Sequence, residues 1–549
     1  MTASQLPTCH LLRIPRELRD VIYNYCLTSD EGYHYHAETN TLRYPDGTDI
    51  NLGLIRTCKQ VAAEVAELAL SQKVITFRTQ IARVAGVEGA FGSSLTSMTC
   101  YFSTLFYYLN LSMQDAALIA LDLYATEDMA DYIHRQYPQS GIGAQIKLLA
   151  QMKGQDRYLR NIQVVKNSAL SMTHMDRQAL QEALQYARPH FGIPIWLLSL
   201  ESFHWPLNMW SHINRMTTDG APSSQDERKT TLEIACSKIS SAVWLPWKTP
   251  TTAQINEMRE LLAVLKLNRE VSWIPEEAPP GEGKKLRYYG SAASQSIHFL
   301  ETLQQGQRSR LRHLIIREDR RSCALPRCHA HGLIPYLQEL PRLRIDHHVD
   351  MWSAIFLDPD VIMNWVNASR LPSQARRPIC WLPEAAYKTI HWINEAMNLR
   401  HAGMPLSAYC LHLEANTATA QRVWNAVKLL AALASANQRR YYKNEDHAPL
   451  FTEITPNNPE FAYKARQERR LVTSIRLILS GDPTVRLSCP IGTLGEFEED
   501  AQRIGNELRD EPRYAWKNYA RRKLVTGELD AKDYDFTALE ELYHDPFLE

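Results

Sequence analysis

Between residues 14 and 25 the apolar side chains Ile14, Leu18, Val21, Ile22 and Tyr25 recur at helical spacing. Pro15 stands in the first turn, where a helix accepts it, so an amphipathic helix is expected here. The pattern then switches to alternation. Tyr33-His34-Tyr35-His36, a polar Glu38-Thr39-Asn40 and Leu42-Arg43-Tyr44 before Pro45-Asp46-Gly47 predict a short hairpin. Helical spacing returns with Leu54, Cys58, Val61, Ala62, Val65, Leu68 and Ala69 on one face and Lys59, Gln60, Glu64 and Glu67 on the other. A β-rich Val74-Ile75-Thr76-Phe77 follows. These elements read together as a small helical module with a hairpin over residues 8–80.

Further along, short runs of strand character stand between helical stretches. Strands are expected near 162–165, 311–316, 409–413 and 474–479, and helices over 176–187, 252–267, 294–303, 334–340, 385–399 and 420–434. This succession favours an α/β or α+β fold, a helix-rich chain with a mixed sheet, over a helical bundle. The unequal strand intervals do not support a fixed-period solenoid, and no internal repeat stands out. Loop-like composition at 217–229 and 275–285 marks internal boundaries. The expected organisation is the module at 8–80, a helix-rich α/β region at 81–220, an α/β region at 221–495, and a charged helix with an aromatic-bearing tail at 496–549.

Composition narrows the class of protein. At 549 residues the chain calls for several cores. Its 45% hydrophobic and 22% charged content is that of a folded chain, not a disordered one. Lys+Arg and Asp+Glu both number 61, so no global field draws nucleic acid or an anionic membrane. The start lacks a basic segment followed by a long apolar one, and no apolar run reaches the length of a membrane span, so an intracellular protein, cytoplasmic or nuclear, is expected. The ten scattered cysteines suit reduced thiols there.

Candidate chemistry is sparse. Cys323, Cys328, His329 and His331 are residue types that zinc prefers, but their spacing lacks paired ligands, and a loop leading into the helix near Leu333 is the expectation. Asp346, His347, His348 and Asp350 read as a polar loop. The arginines from Arg308 to Arg321 surround Leu311, Leu314 and Ile316 in the manner of a strand with solvated ends, without the aromatics of an RNA-binding sheet. Residues 86–92 are glycine-rich without a phosphate-loop pattern, and hydrolase, zincin and kinase signatures are absent from the sequence. Trp196, Trp205, Trp210, Trp244 and Trp247 read as core, with a ligand groove or an interaction surface as the alternative. No metal ligand, cofactor or catalytic residue is nominated, and no enzyme activity is expected.

Ile14-Pro15-Arg16-Glu17-Leu18-Arg19-Asp20-Val21-Ile22-Tyr23, together with Leu54-Ile55-Arg56-Thr57-Cys58-Lys59-Gln60 and a strand ending at Phe77, resembles a large group of fungal F-box-like proteins. The block from Leu311 to Pro341 also looks like a segment of long members of such families. In this chain a hairpin separates the two helices and position 14 is Ile where the group usually has Leu. The resemblance implies a non-catalytic substrate-recognition subunit of a cullin-type ubiquitin ligase, docking on a Skp-type adaptor while the remaining chain captures a protein target. It further implies a partner-binding surface formed by Pro15, Leu18, Val21 and Ile22, with Leu54, Cys58 and Val61 behind or beside them. A structural or signalling scaffold without a ligase link is the alternative reading, and an enzyme without recognisable motifs is the third.

Overall fold

The computed structural model describes residues 10–26, 32–37, 39–50, 53–71, 74–81, 125–152, 173–187, 245–248, 285–286, 289–322, 325–356, 380–441, 459–511 and short pieces of 515–544. The strand expected at 162–165, the helix at 252–267, residues 86–92, both loop-like stretches up to 284, Cys323, and four of the five clustered tryptophans, Trp196, Trp205, Trp210 and Trp244, lie outside these residues.

Among the described residues seven strands form the central sheet: β1 (Tyr33–His36), β2 (Thr41–Arg43), β3 (Ile75–Arg78), β4 (His313–Glu318), β5 (Arg344–Asp350), β6 (Tyr409–Glu414) and β7 (Val485–Leu487). Their order is β2-β1-β3-β4-β5-β6-β7. Adjacent strands run parallel except for the β1–β2 hairpin. The α/β class with a mixed sheet is therefore observed. From β3 onward every new strand is laid beside the previous one, so each crossover steps the same way. Right-handed connections then put the helices on one face.

The strands record this one-sided cover. In β4, β5 and β6 the buried Leu314, Ile316, Ile345, Val349, Leu411 and Leu413 alternate with half-buried His313, Ile315, Arg317, Asp346, His348, Asp350, Cys410, His412 and Glu414. A parallel sheet covered on both faces reads as a continuous apolar run, whereas this one carries a polar face. The alternation also corrects the polar loop expected around Asp346: residues 344–350 are β5, with His347 directed to the core and Asp346, His348 and Asp350 to the other face. Asp is a poor strand former by propensity, and the two neighbouring strands supply the hydrogen-bonding ladder that overrides it.

Eleven helices matter to the argument: α1 (Arg16–Cys26), α2 (Lys59–Ser71), α3 (Glu127–Gln136), α4 (Ile142–Met152), α5 (His174–Ala187), α6 (Ala292–Thr302), α7 (Ile334–Glu339), α8 (Leu382–Asn398), α9 (Thr417–Tyr441), α10 (Pro459–Leu479) and α11 (Leu494–Glu507). The fully buried Trp424 anchors α9 among α8, α10 and α11, and its Nε1 donates to the Ile491 carbonyl at 2.8 Å. The strand expected at 474–479 is the end of α10. There Leu471, Val472, Ile475 and Ile478 are buried at helical spacing, so packing against α9 outweighs the strand preference of the β-branched residues. Helices α3, α4 and α5 gather their own core of Met129, Ile133, Ile142, Ile146 and Leu180.

The boundary expected at residue 80 does not break the sheet. Strands β1, β2 and β3 belong to residues 33–78 yet form one edge of it. Tyr35 and Phe77 pack on Phe299 of α6, ring centroids 5.4 and 5.5 Å away. What stays separate is the packing of α1 on α2, a cluster of Tyr23, Val61, Val65 and Leu68.

Close packing leaves no room for a side chain at Gly332, in the 3-10 segment Pro326–Leu333. A Cβ there would lie 2.5 Å from Trp247 and 2.6 Å from Ile297, both buried. Gly332→Ala is expected to cost about 1–3 kcal/mol by overpacking in urea unfolding. Gly306→Ala, whose Cβ meets nothing within 4 Å, serves as the comparison and should leave the transition near that of the parent.

Candidate functional site

Helix α1 is turned opposite to what a helix of a self-contained domain would do. Its inward side carries Arg19 and Tyr23, 7% and 0% exposed, and its outward side carries Leu18, Val21, Ile22 and Tyr25 at 56%, 54%, 37% and 79%. Burying a guanidinium is costly unless it is paired. Glu64 of α2 supplies the pair, accepting from Arg19 Nε at 2.9 Å and Nη2 at 2.6 Å, from the Tyr23 hydroxyl at 2.9 Å and from Gln60 Nε2 at 3.0 Å. Arg19 also donates to the Ile14 carbonyl at 2.5 Å, fixing the chain as it enters the helix. This polar lock sets the rotation of α1, and the apolar residues at positions i, i+3, i+4 and i+7 are thereby presented outward.

The Arg19 guanidinium holds the Glu64 carboxyl down from 4.5 to about 2. A carboxylate depressed by folding stabilises the fold above its unfolded value and loses that contribution as pH falls toward the folded one. The Tm is therefore expected to carry a Glu64-dependent decline between about pH 4.5 and 2. Glu64→Gln should lower the Tm at pH 7 and remove that part of the decline, which thermal scans across the window can check.

The residues nominated from the sequence divide. Pro15, Leu18, Val21 and Ile22 share the open side of the module, and Tyr25, not nominated, extends the stripe. Cys58 is also exposed, its Sγ 3.5 Å from the Val61 amide at the start of α2. Leu54 is half-buried against the α1–α2 core, and Val61, at 1% exposure, is inside it. Val61 thus holds the module together and does not belong to the open surface.

The second assembly is the polar face of the sheet. A row of basic side chains crosses five strands in register: Arg78, Arg317, His348, His412 and Arg486. Beside it Asp346 bridges two strands, with Oδ2 2.8 Å from His313 Nε2 and Oδ1 3.0 Å from His412 Nε2. The His348 and His412 rings stack at 4.4 Å, 8° from parallel, and His348 Nδ1 lies 2.6 Å from Glu414 Oε1. Cys410 stands opposite Asp346, and burial pushes its thiol up to about 11. Burial also tends to raise Asp346, but the hydrogen bonds from His412 and His313 outweigh it and hold the carboxyl below its ordinary value. Sequence reading missed this surface because it assigned β5 to a loop. Its available signal was the period-two recurrence of Asp346, His348 and Asp350, matched by Cys410, His412 and Glu414.

The remaining histidine-rich cluster is sealed inside. Cys328, with 0% exposure, donates to the Leu325 carbonyl at 3.1 Å, and burial pushes its thiol up to about 12. His329 Nδ1 is 2.6 Å from Ser291 Oγ, and His331 Nε2 is 3.3 Å from Glu395 Oε2. Glu395 also accepts from the His174 amide at 3.0 Å and from Arg177 at 3.4 Å. These groups join α5, α8 and the 3-10 segment before α7. Trp247 completes the packing, its ring 5.0 Å from that of His174.

No helix among the described residues is long and apolar enough to cross a membrane. Comparison of the chain with protein-family models, with curated proteins and with solved structures finds no match.

Proposed function

We propose that the protein is a non-catalytic recognition subunit whose α1 stripe docks on a Skp-type adaptor of a cullin ubiquitin ligase. The observation that carries this reading is the outward Leu18, Val21, Ile22 and Tyr25 on a helix that buries an arginine instead. Contiguous exposed apolar residues with a polar surround mark interaction surfaces, and the F-box-like residues of the same segment give the partner its class. A scaffold folded upon its own module would enclose Leu18, which is 56% exposed.

The mechanism is proximity. The adaptor end holds the chain on the ligase, the rest of the chain captures a protein, and the local concentration of that target beside the ligase rises without any acid, base or nucleophile from this chain. We assign target capture to the polar sheet face, where Arg78, Arg317 and Arg486 in register suit an acidic segment. Calorimetric titration of the full chain with purified Skp-type adaptor tests the adaptor step. Saturable one-to-one binding supports it, and the absence of heat and of co-elution on gel filtration overturns it.

A further inference from the structure

The polar sheet face also holds a set of donors that the docking reading does not use. Asp346 on β5 and Cys410 on β6 are register partners, and Cys410 and His412 are two residues apart on one strand, so all three project from the same face. Their ligand atoms lie within 4.8 Å of one another. Thiolate, imidazole and carboxylate are the donor types that zinc takes, and a tetrahedral ion with bonds of about 2.0–2.3 Å holds its donors about 3.3–3.8 Å apart. His412 Nε2 and Asp346 Oδ1 already stand 3.0 Å apart.

The surroundings orient these donors in the way that metal sites require. His313 engages Asp346 Oδ2 at 2.8 Å and fixes the plane of the carboxylate, while an ion held between Oδ1 and His412 Nε2 would take the place of the proton they now share. The His348 ring, tied to Glu414, stacks on His412 and fixes the plane of the imidazole. Both strands are rigid parts of the sheet, so the spacing does not depend on a loop. We propose that Asp346, Cys410 and His412 form a three-donor site for a zinc-class divalent cation on the polar face of the sheet, its fourth position left for water or a donor from a bound partner. The site is independent of the adaptor-docking reading, because it shares no residue with α1.

Cobalt(II) is the probe, since thiolate ligation gives it a sulfur-to-metal charge-transfer band in the near ultraviolet. The full chain, stripped with a chelator and kept reduced, is titrated with cobalt and then with zinc. One equivalent of cobalt should produce the band together with tetrahedral visible bands, and zinc should abolish both. Cys410→Ser, nearly isosteric, should lose the band, while Cys26→Ser, Cys58→Ser and Cys489→Ser should keep it. His412→Ala should weaken zinc by at least about tenfold in competition with a chromophoric chelator, and His313→Ala by about 10–100-fold through the loosened carboxylate. Circular dichroism confirms that each variant is folded. A missing band in the parent chain, or a band that survives Cys410→Ser, overturns the proposal.

Discussion

The double variant Leu18→Asp, Val21→Asp is expected to keep the Tm of the parent and to bind a Skp-type adaptor at least about 30-fold more weakly, since interface hot spots contribute 2 kcal/mol or more each. The two parts of this expectation have separate causes. Both side chains are more than half exposed, so removing them takes almost nothing from the α1–α2 core of Tyr23, Val61, Val65 and Leu68. The helix keeps its orientation because the Arg19–Glu64 pair is untouched. At an interface, by contrast, each aspartate must be desolvated without a partner. The reverse control is Val61→Ala, which should destabilise the module by about 1–3 kcal/mol and leave the affinity of the folded fraction unchanged. Equal adaptor affinity for the parent and the double variant would sink the docking assignment.

Asp176→Ala is expected to be the most destabilising single change in the helical region, at about 3–5 kcal/mol in urea unfolding. Asp176, fully buried at the start of α5, accepts from Arg470 of α10 at 2.9 and 3.2 Å, from Ser140 Oγ at 2.9 Å, and from the amide and hydroxyl of Thr173 at 3.1 and 2.7 Å. Burial works to raise its carboxyl, but Arg470 and the hydroxyls outweigh it, so the group stays ionised. Removing the carboxylate leaves the Arg470 guanidinium in a site built for its counter-charge. Asp176→Leu combined with Arg470→Leu should recover much of the loss, because two well-packed apolar side chains can replace a buried pair at little net cost. The exposed contacts of Arg503 with Asp500 and Glu507 on α11 give the scale for a solvated pair, and Arg503→Ala should change stability by less than about 1 kcal/mol. A loss of that same small size in Asp176→Ala would show that the pair does not join α5 to α10.

Much of the helical framework was legible because its periodicity is local. Helices α5, α8 and α9 lie where three- and four-residue spacing predicted them, as do the β1–β2 hairpin and strands β4 and β6. Two segments misled for opposite reasons. Ser474 to Leu479 carries β-branched residues but is fixed as helix by Leu471, Ile475 and Ile478, buried in the core that α9 shares, while Arg344 to Asp350 carries aspartates and histidines but is held extended between two strands. In both cases neighbours distant in sequence outweighed residue preference.

The candidate sites divide along the same line. The amino-acid sequence by itself determined that α1 is amphipathic and that its apolar residues fall on one stripe, since a helical period follows from spacing alone. It could not say whether that stripe faces inward, because the answer depends on Glu64, 45 positions from Arg19, reaching back to pair with it. Likewise, the alternation within β6 was present in the chain, but the meeting of Asp346 with His412 and Cys410 was decided only when the sheet set their strands side by side. Periodicity is a property of one segment, whereas burial, pairing and donor geometry belong to segments brought together by folding.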